Sequence, residues 1–142
     1  MSAPRVLVAE DDHFLAALVR QTLEIDGLVV EMAENGKEAL RTADIFMPDI
    51  IVLDAMMPIM DGYETLWMLK NSKTHKSVPV LMLTAKRSEA DVKRAIASGA
   101  SDYLTKPFRP DYLVKRVRRL LDAKLGQPSK AEPAPSFDID SV

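Results

Sequence analysis

The sequence contains no cysteine, which excludes disulfide bonds and thiolate metal sites. It has no apolar run near the roughly 20 residues that cross a bilayer, and no signal-peptide core follows Met1. Basic and acidic residues nearly balance, 19 against 21, so the net charge of −2 attracts neither nucleic acid nor anionic lipid. We therefore expect a cytoplasmic protein that binds neither membranes nor nucleic acid directly and whose function depends on local sites.

What the sequence does contain is a regular alternation of two apolar patterns. With 142 residues, 47% of them hydrophobic, the chain is long enough for one core but not for two ordinary domains. Short runs rich in Val, Ile and Leu predict five strands, and segments with apolar residues three and four apart predict a helix after each. The predicted strands are Arg5–Ala9, Leu28–Ala33, Asp49–Leu53, Val78–Thr84 and Ser101–Leu104.

Residues typical of helix ends stand between these patterns. Gly27 and Gly99 stand where the first and fourth helices would end, and Asp61 and Ser88 where the third and fourth would begin. Apolar strands separated by helices are typical of a parallel sheet covered on both faces. The predicted fold is therefore α/β, a flavodoxin-like doubly wound sheet of five parallel strands in order 2-1-3-4-5 with five helices.

The composition changes near the end of the chain, where proline becomes frequent and apolar residues become few. We predict a folded domain over residues 1–125 and a disordered tail over residues 126–142. About 17 residues follow the last helix, too few for a DNA-binding or other output module. The sequence thus predicts a stand-alone or excised domain.

Polar side chains stand at the carboxyl ends of four predicted strands. In strand order they are Glu10, Asp11, Asp12, Asp54, Thr84 and Lys106. Ligands bind open parallel sheets beyond this edge, near the point where the strand order reverses. Taken alone, each residue has an ordinary role, such as helix capping by Asp12 or solvation of Lys106. Their convergence from separate strands favours a site instead.

Three aspartates at this edge predict a divalent cation. With strands 1 and 3 adjacent, Asp11, Asp12 and Asp54 would lie close together, and two carboxylates ~4 Å apart repel by about 4 kcal/mol at an effective dielectric near 20. Oxygen ligands without His or Cys favour Mg²⁺, and Mn²⁺ would fit too. Lys106 and Thr84 would then bind and neutralise a phosphoryl group, with Asp54 as the nucleophile.

The motifs around these residues resemble the receiver domain of two-component response regulators, the CheY-like superfamily, from about Arg5 to Leu125. They are VLVAEDD (residues 6–12), PDIIVLDAMMP (48–58), MDG (60–62), LTA (83–85) and GASDYLTKPF (99–108). The resemblance implies that Asp54 is the phosphoacceptor, charged by a sensor histidine kinase or a histidine phosphotransfer protein. It also implies that Asp11, Asp12 and the backbone carbonyl of Met56 hold the metal together with Asp54. The protein would be a signalling switch that assists its own phosphorylation and dephosphorylation, and not an enzyme.

The same resemblance implies a conformational switch. The Thr84 hydroxyl would move towards the phosphoryl group, and the ring of Tyr103 would follow from an exposed to a buried rotamer. It further implies a cis peptide bond between Lys106 and Pro107, which is permissible because cis costs little before proline. Met56 and Lys86 occupy the two positions that tune the phosphoryl lifetime, and we expect minutes or longer because neither side chain readily orients a water.

Helix 5 and its neighbours are the candidate partner surface. Asp102 with Arg116 resembles part of the ion-pair set by which receivers of winged-helix transcription factors dimerise. Tyr112 stands where that subfamily usually has an acid. We therefore keep two expectations: a homodimer or an output-protein partner bound through helix 4, strand 5 and helix 5, or a solvated basic face.

Two other functions occur on related α/β sheets, and the second of them shares the strand order. A metal-dependent phosphohydrolase of the haloacid dehalogenase type would carry a second acid two residues after its nucleophile, where this sequence has Met56. A flavin carrier needs a Gly-rich or Ser/Thr-rich phosphate loop after strand 1, where Glu10, Asp11 and Asp12 would repel a phosphate.

Overall fold

Strands and helices alternate along the chain in a computed structural model that describes residues 2–86 and 88–124. The elements are β1 (Arg5–Ala9), α1 (His13–Ile25), β2 (Val29–Ala33), α2 (Gly36–Phe46), β3 (Ile50–Asp54), α3 (Gly62–Lys70), β4 (Val80–Thr84), α4 (Glu89–Ala97), β5 (Asp102–Thr105) and α5 (Pro110–Lys124). The strands are parallel in the order β2-β1-β3-β4-β5, which confirms the predicted sheet. The tail predicted over residues 126–142 lies outside the described residues.

Alternate residues of each central strand enter two separate cores. Leu7 and Ile51 lie in the layer formed with α2, α3 and α4, whereas Val8 and Val52 lie in the layer formed with α1 and α5. This division follows from the two-residue period of a strand, which points successive side chains to opposite faces. Because both faces are covered, β3 and β4 are buried throughout, and full burial of each large apolar side chain contributes roughly 1.5–3 kcal/mol.

The helix ends follow the predicted signals. Asp61 and Ser88 cap α3 and α4 through backbone amides three residues on, as predicted. Gly27 and Gly99 have φ of 89° and 108°, a backbone conformation that glycine adopts without strain, one residue beyond the caps of α1 and α4. β4 begins two residues later than predicted, directly after Pro79, which has no N–H to donate to the sheet. Within the described part of the chain, no helix is both long and apolar enough to cross a membrane.

Candidate functional site

Four parallel strands deliver polar side chains to one edge of the sheet. Asp54 and Thr84 are the last residues of β3 and β4, and Glu10 and Lys106 directly follow β1 and β5. The register keeps these strand ends level, since Asp54 pairs with Leu83 and Thr84 with Thr105. The convergence predicted from the strand ends is therefore present.

An acidic group forms the centre of this edge. Carboxylate oxygens of Glu10, Asp11 and Asp54 all lie within 4.8 Å of one another. Glu10 and Asp54 are buried, with exposed fractions of 2% and 3%, whereas Asp11 is exposed. Burial raises the pKa of the Glu10 carboxyl to about 7; the hydrogen bond from Lys106 opposes this rise, and neighbouring Asp54 adds to it.

Asp12 does not belong to this group, which corrects the predicted trio of aspartates. Its Oδ1 accepts hydrogen bonds from the backbone N–H groups of Phe14 and Leu15, at 3.0 and 3.1 Å, and thereby caps α1. Glu10 takes its place among the clustered acids, and its Oε2 accepts a hydrogen bond from the Asp12 N–H at 3.1 Å. Glu10 is predicted at this edge but not among the clustered acids, although the preference for a short capping acid just before the first helical residue could have separated Asp12 from Glu10.

Lys106 supplies the positive charge of the site. Its Nζ lies 2.8 Å from Glu10 Oε1 and 3.1 Å from Asp54 Oδ1, so one ammonium group bridges two buried carboxylates. Burial lowers the pKa of Lys106, but the hydrogen bond to Glu10 and the charges of Asp54 and Glu10 outweigh it, and the net shift is upward. The peptide bond from Lys106 to Pro107 is cis, as the resemblance implied. Lys106 therefore stays protonated at neutral pH.

The turn after β3 brings α3 close to Asp54. A side chain on Gly62 would place its Cβ 2.2 Å from the Asp54 carbonyl oxygen and 2.7 Å from Ala55 Cα, so only glycine fits there. The Gly62 N–H donates to the Ala55 carbonyl at 2.9 Å, and the Met56 N–H reaches Asp54 Oδ1 at 3.3 Å. The backbone that follows Asp54 is thus fixed by short-range contacts.

This fold and this edge can be compared with known proteins. Residues 6–118 match the family model of the response regulator receiver domain. The chain belongs to the response-regulator receiver family. The receiver is 43% identical over 117 residues to the transcriptional regulatory protein TrcR of Mycobacterium tuberculosis. It is 41% identical over 117 residues to the alkaline phosphatase synthesis transcriptional regulatory protein PhoP of Bacillus subtilis.

Both alignments cover 82% of this chain but 45% and 48% of the relatives, so the chain spans about half the length of the proteins it matches. Among solved structures, the chemotaxis response regulator CheY4 of Vibrio cholerae superimposes with a TM-score of 0.80 at 34% identity, over 84% of this chain and 99% of that one. The Francisella response regulator 1452 receiver domain gives a TM-score of 0.79 at 39% identity, over 84% and 98%. The protein is thus a signalling receiver of the two-component type.

Thr84 and Tyr103, the predicted switch residues, are joined through the β4–α4 loop of the receiver. The buried Thr84 Oγ1 accepts a hydrogen bond from the Lys86 N–H at 3.0 Å, and the Tyr103 hydroxyl donates to the Lys86 carbonyl oxygen. Burial raises the pKa of the Tyr103 hydroxyl to about 12, and a hydrogen bond with Thr84 partly offsets that effect. The side chain of Tyr103 is buried in this structure, and its role as a switch residue stays a prediction.

The ion pair that the resemblance assigns to a dimer interface is made within one chain here. Arg116 Nη1 lies 3.1 Å from Oδ1 of the fully buried Asp102 and donates to the Tyr103 carbonyl at 2.9 Å. Burial raises the pKa of Asp102, and the charge of Arg116 works against that rise. Asp102 therefore serves to hold α5 against β5, and dimerisation through this face stays a prediction.

Proposed function

We propose that the receiver accepts a phosphoryl group on a carboxylate oxygen of Asp54 from the phosphohistidine of a sensor histidine kinase or a histidine phosphotransfer protein. The observation that supports this most is the buried Asp54 carboxylate held 3.1 Å from Lys106 beside two further acids. In the transfer, the N–P bond of the donor breaks, an O–P bond to Asp54 forms, and the released imidazole nitrogen takes up a proton.

The acidic group fits a hard divalent cation. Three carboxylates within 4.8 Å provide oxygen donors only, which suits Mg²⁺ and also Mn²⁺. Asp11 and Asp54 would hold the ion with the backbone carbonyl of Met56, and Glu10 would adjoin it on the side of Lys106. Asp12 remains at the helix cap in this assignment. When bound, the cation offsets the negative charge that the acids and the phosphoryl oxygens bring together.

The remaining residues orient the phosphoryl group and change conformation when it binds. Lys106 donates to a phosphoryl oxygen as it moves from its contacts with Glu10 and Asp54. The Thr84 hydroxyl, buried at the adjacent strand end, donates to a second oxygen, and the Tyr103 ring packs behind it. Most of the rate enhancement comes from such positioning and charge neutralisation, because phosphoryl transfer needs little covalent chemistry from the protein.

The signal would leave through the face formed by α4, β5 and α5. Tyr103 lies on β5, and its hydroxyl contacts the loop that leads into α4, so a change at Thr84 alters this face directly. Its partner would be a second receiver or an output protein. The relatives TrcR and PhoP are transcriptional regulators by name. Since the net charge of −2 gives this chain no overall attraction to nucleic acid, we infer that the receiver controls its output through protein contacts rather than by binding nucleic acid itself.

Incubation with acetyl phosphate and Mg²⁺ followed by intact-mass measurement tests the assignment. The wild type and the control Asp61→Asn, which retains a capping side chain on α3, should each gain one phosphoryl group, and Asp54→Asn should gain none. A chelator should abolish the gain. Equal labelling of the wild type and Asp54→Asn would place the acceptor elsewhere, and sustained release of phosphate from many esters would instead indicate a phosphohydrolase.

A further inference from the structure

The side chain of Tyr63 lies between the turn beside Asp54 and helix α4. Tyr63 directly follows Gly62, which is packed against the Asp54 carbonyl, and its ring packs on the core layer that contains Tyr103 and Val92. Its hydroxyl is buried and lacks a hydrogen-bond partner among residues 2–86 and 88–124. The ring face, and not the hydroxyl, is therefore the part of Tyr63 that makes a specific contact.

That contact is with Arg94 of α4. The guanidinium Cζ lies 3.9 Å from the centroid of the Tyr63 ring, well inside the range of about 6 Å over which a cation is attracted to an aromatic face. Burial raises the pKa of the Tyr63 hydroxyl, and the positive charge of Arg94 counteracts this, as expected for a cation against the ring. α3 and α4 are thus connected by a directed electrostatic contact.

Helix α4 has few other side chains to hold it. Among its nine residues only Val92 and Ala95 are buried, while Lys93 pairs with Glu89 of the same helix. A helix with so few buried apolar residues opens locally at a low free energy, so the loss of one further contact becomes measurable. The stacking of Arg94 on Tyr63 therefore adds to the buried contacts of Val92 and Ala95 that hold α4.

We propose that Arg94 is a positioning residue that holds α4 against the turn beside Asp54 by stacking on Tyr63, in the arrangement in which Tyr103 is buried. The inference rests on the proposed function of Asp54. It adds a second connection from that residue to α4, through Gly62 and Tyr63, beside the connection through Thr84 and Tyr103. Coupling through such a connection has to be measured rather than assumed from proximity.

Hydrogen exchange of the α4 backbone amides, residues 89–97, measures how firmly the helix is held. Arg94→Ala should speed this exchange by about two- to fivefold, the effect of losing one solvent-exposed cation–aromatic contact. The control Lys93→Ala removes a neighbouring cation that pairs only within α4, and it should leave exchange near the wild-type rate. Equal exchange in Arg94→Ala and Lys93→Ala overturns the proposal.

A double-mutant cycle tests whether Arg94 acts through the ring. In a Tyr63→Leu background, which has no ring, Arg94→Ala should add no further change; in a Tyr63→Phe background, which keeps the ring face, its effect should persist. An undiminished effect of Arg94→Ala in the Tyr63→Leu background contradicts the stacking role. Tyr63→Leu removes the ring and some packing volume, whereas Tyr63→Phe removes only the hydroxyl, so the cycle rather than either single variant isolates the contribution of the ring face.

Comparison of the phosphorylated with the untreated protein distinguishes a positioning role of Arg94 from a purely structural one. After treatment with acetyl phosphate and Mg²⁺, the phosphoryl group itself should favour the buried Tyr103, so the difference in α4 exchange between the wild type and Arg94→Ala should shrink. An identical difference in both states would leave Arg94 with a static role and overturn the proposal. Failure of the wild type to gain phosphoryl mass would instead refute the function of Asp54, because exchange in the untreated protein reports on Arg94 independently.

Discussion

The two ends of the parallel sheet each carry an aspartate near a lysine, and they differ in how far these charges are removed from water. At the carboxyl end Asp54 is buried and Lys106 lies 3.1 Å from it, bridging to Glu10. At the amino end Lys124 Nζ lies 4.0 Å from Asp49 Oδ1, and both side chains remain partly exposed. An exposed pair of this kind contributes about 0–1 kcal/mol, whereas burial of charges costs more than it returns unless they are well paired. The buried charges, whose burial is costly, lie at the carboxyl end of the sheet, where four strands end in reactive groups. Such a concentration of buried charge is typical of a functional site.

Replacement of the lysine at each end of the sheet should give the largest contrast. Lys106→Met should slow phosphorylation by acetyl phosphate by about a hundredfold or more, because one preorganised donor to the transferring group is lost. Lys124→Met, the matched change at the amino end, should leave the rate unchanged. Quantitative intact-mass kinetics at saturating Mg²⁺ measure both variants, and similar rates for the two would remove the functional distinction between the ends.

The acids at the carboxyl end of the sheet should differ in whether they contribute to Mg²⁺ affinity or to stability. Asp11→Asn should weaken Mg²⁺ binding by at least about tenfold, since even groups that only support a metal ligand contribute that much. Asp12→Ala should leave Mg²⁺ affinity nearly unchanged and lower the unfolding free energy by about 1 kcal/mol through loss of the α1 cap. Calorimetric titration and urea unfolding separate the two effects. A large loss of Mg²⁺ affinity in Asp12→Ala would restore the trio of aspartates predicted from the sequence.

The stability of the metal-free receiver should depend on pH through Glu10. Burial, first of all, raises the pKa of Glu10 from 4.5 to about 7, so the folded protein retains a proton that the unfolded chain releases. The resulting stabilisation is fully present below about 4.5 and is lost as the pH rises through about 7. Urea unfolding in the presence of a chelator should show this decline in the wild type and a flatter profile in Glu10→Gln. Parallel profiles would mean that Glu10 is ionised in the fold.

The amino end should give the smallest effect of all. Lys124→Met should change the unfolding free energy by less than about 0.5 kcal/mol, because the pair with Asp49 is long and in contact with water. Its thermal midpoint should match that of the wild type at low and at high salt. A large and salt-dependent shift would show that the two ends of the sheet are electrostatically more alike than their burial indicates.

The features predicted from the sequence are those that depend on the periodicity of apolar residues within one element or on the residue at the end of one strand. The strand order and the meeting of Asp54 with Lys106 follow from apolar runs that each finish in a polar residue. The distinction between Glu10 and Asp12 needed one further signal, the capping preference of a short acid directly before the first residue of α1. By contrast, the stacking of Arg94 on Tyr63 depends on the rotamers of two side chains far apart in sequence, which no periodic pattern specifies.

The sequence also does not reveal whether an ion pair forms within one chain or between two chains. The resemblance assigns Asp102 and Arg116 to a dimer ion-pair set, but the sequence does not tell whether they meet within one chain or across an interface. In the structure the pair is internal and Asp102 is fully buried. Burial of the acid depends on how closely α5 packs on β5, a property of the folded core.

The position of the phosphoryl group tests the account most directly. Borohydride reduces an aspartyl phosphate to homoserine, and mass spectrometry of peptides from the treated receiver locates the changed residue. The account predicts homoserine at position 54 alone, dependent on Mg²⁺ and reduced in Lys106→Met. Homoserine at position 11 or 12, or its absence after labelling with acetyl phosphate, would contradict the assignment of Asp54 as the acceptor.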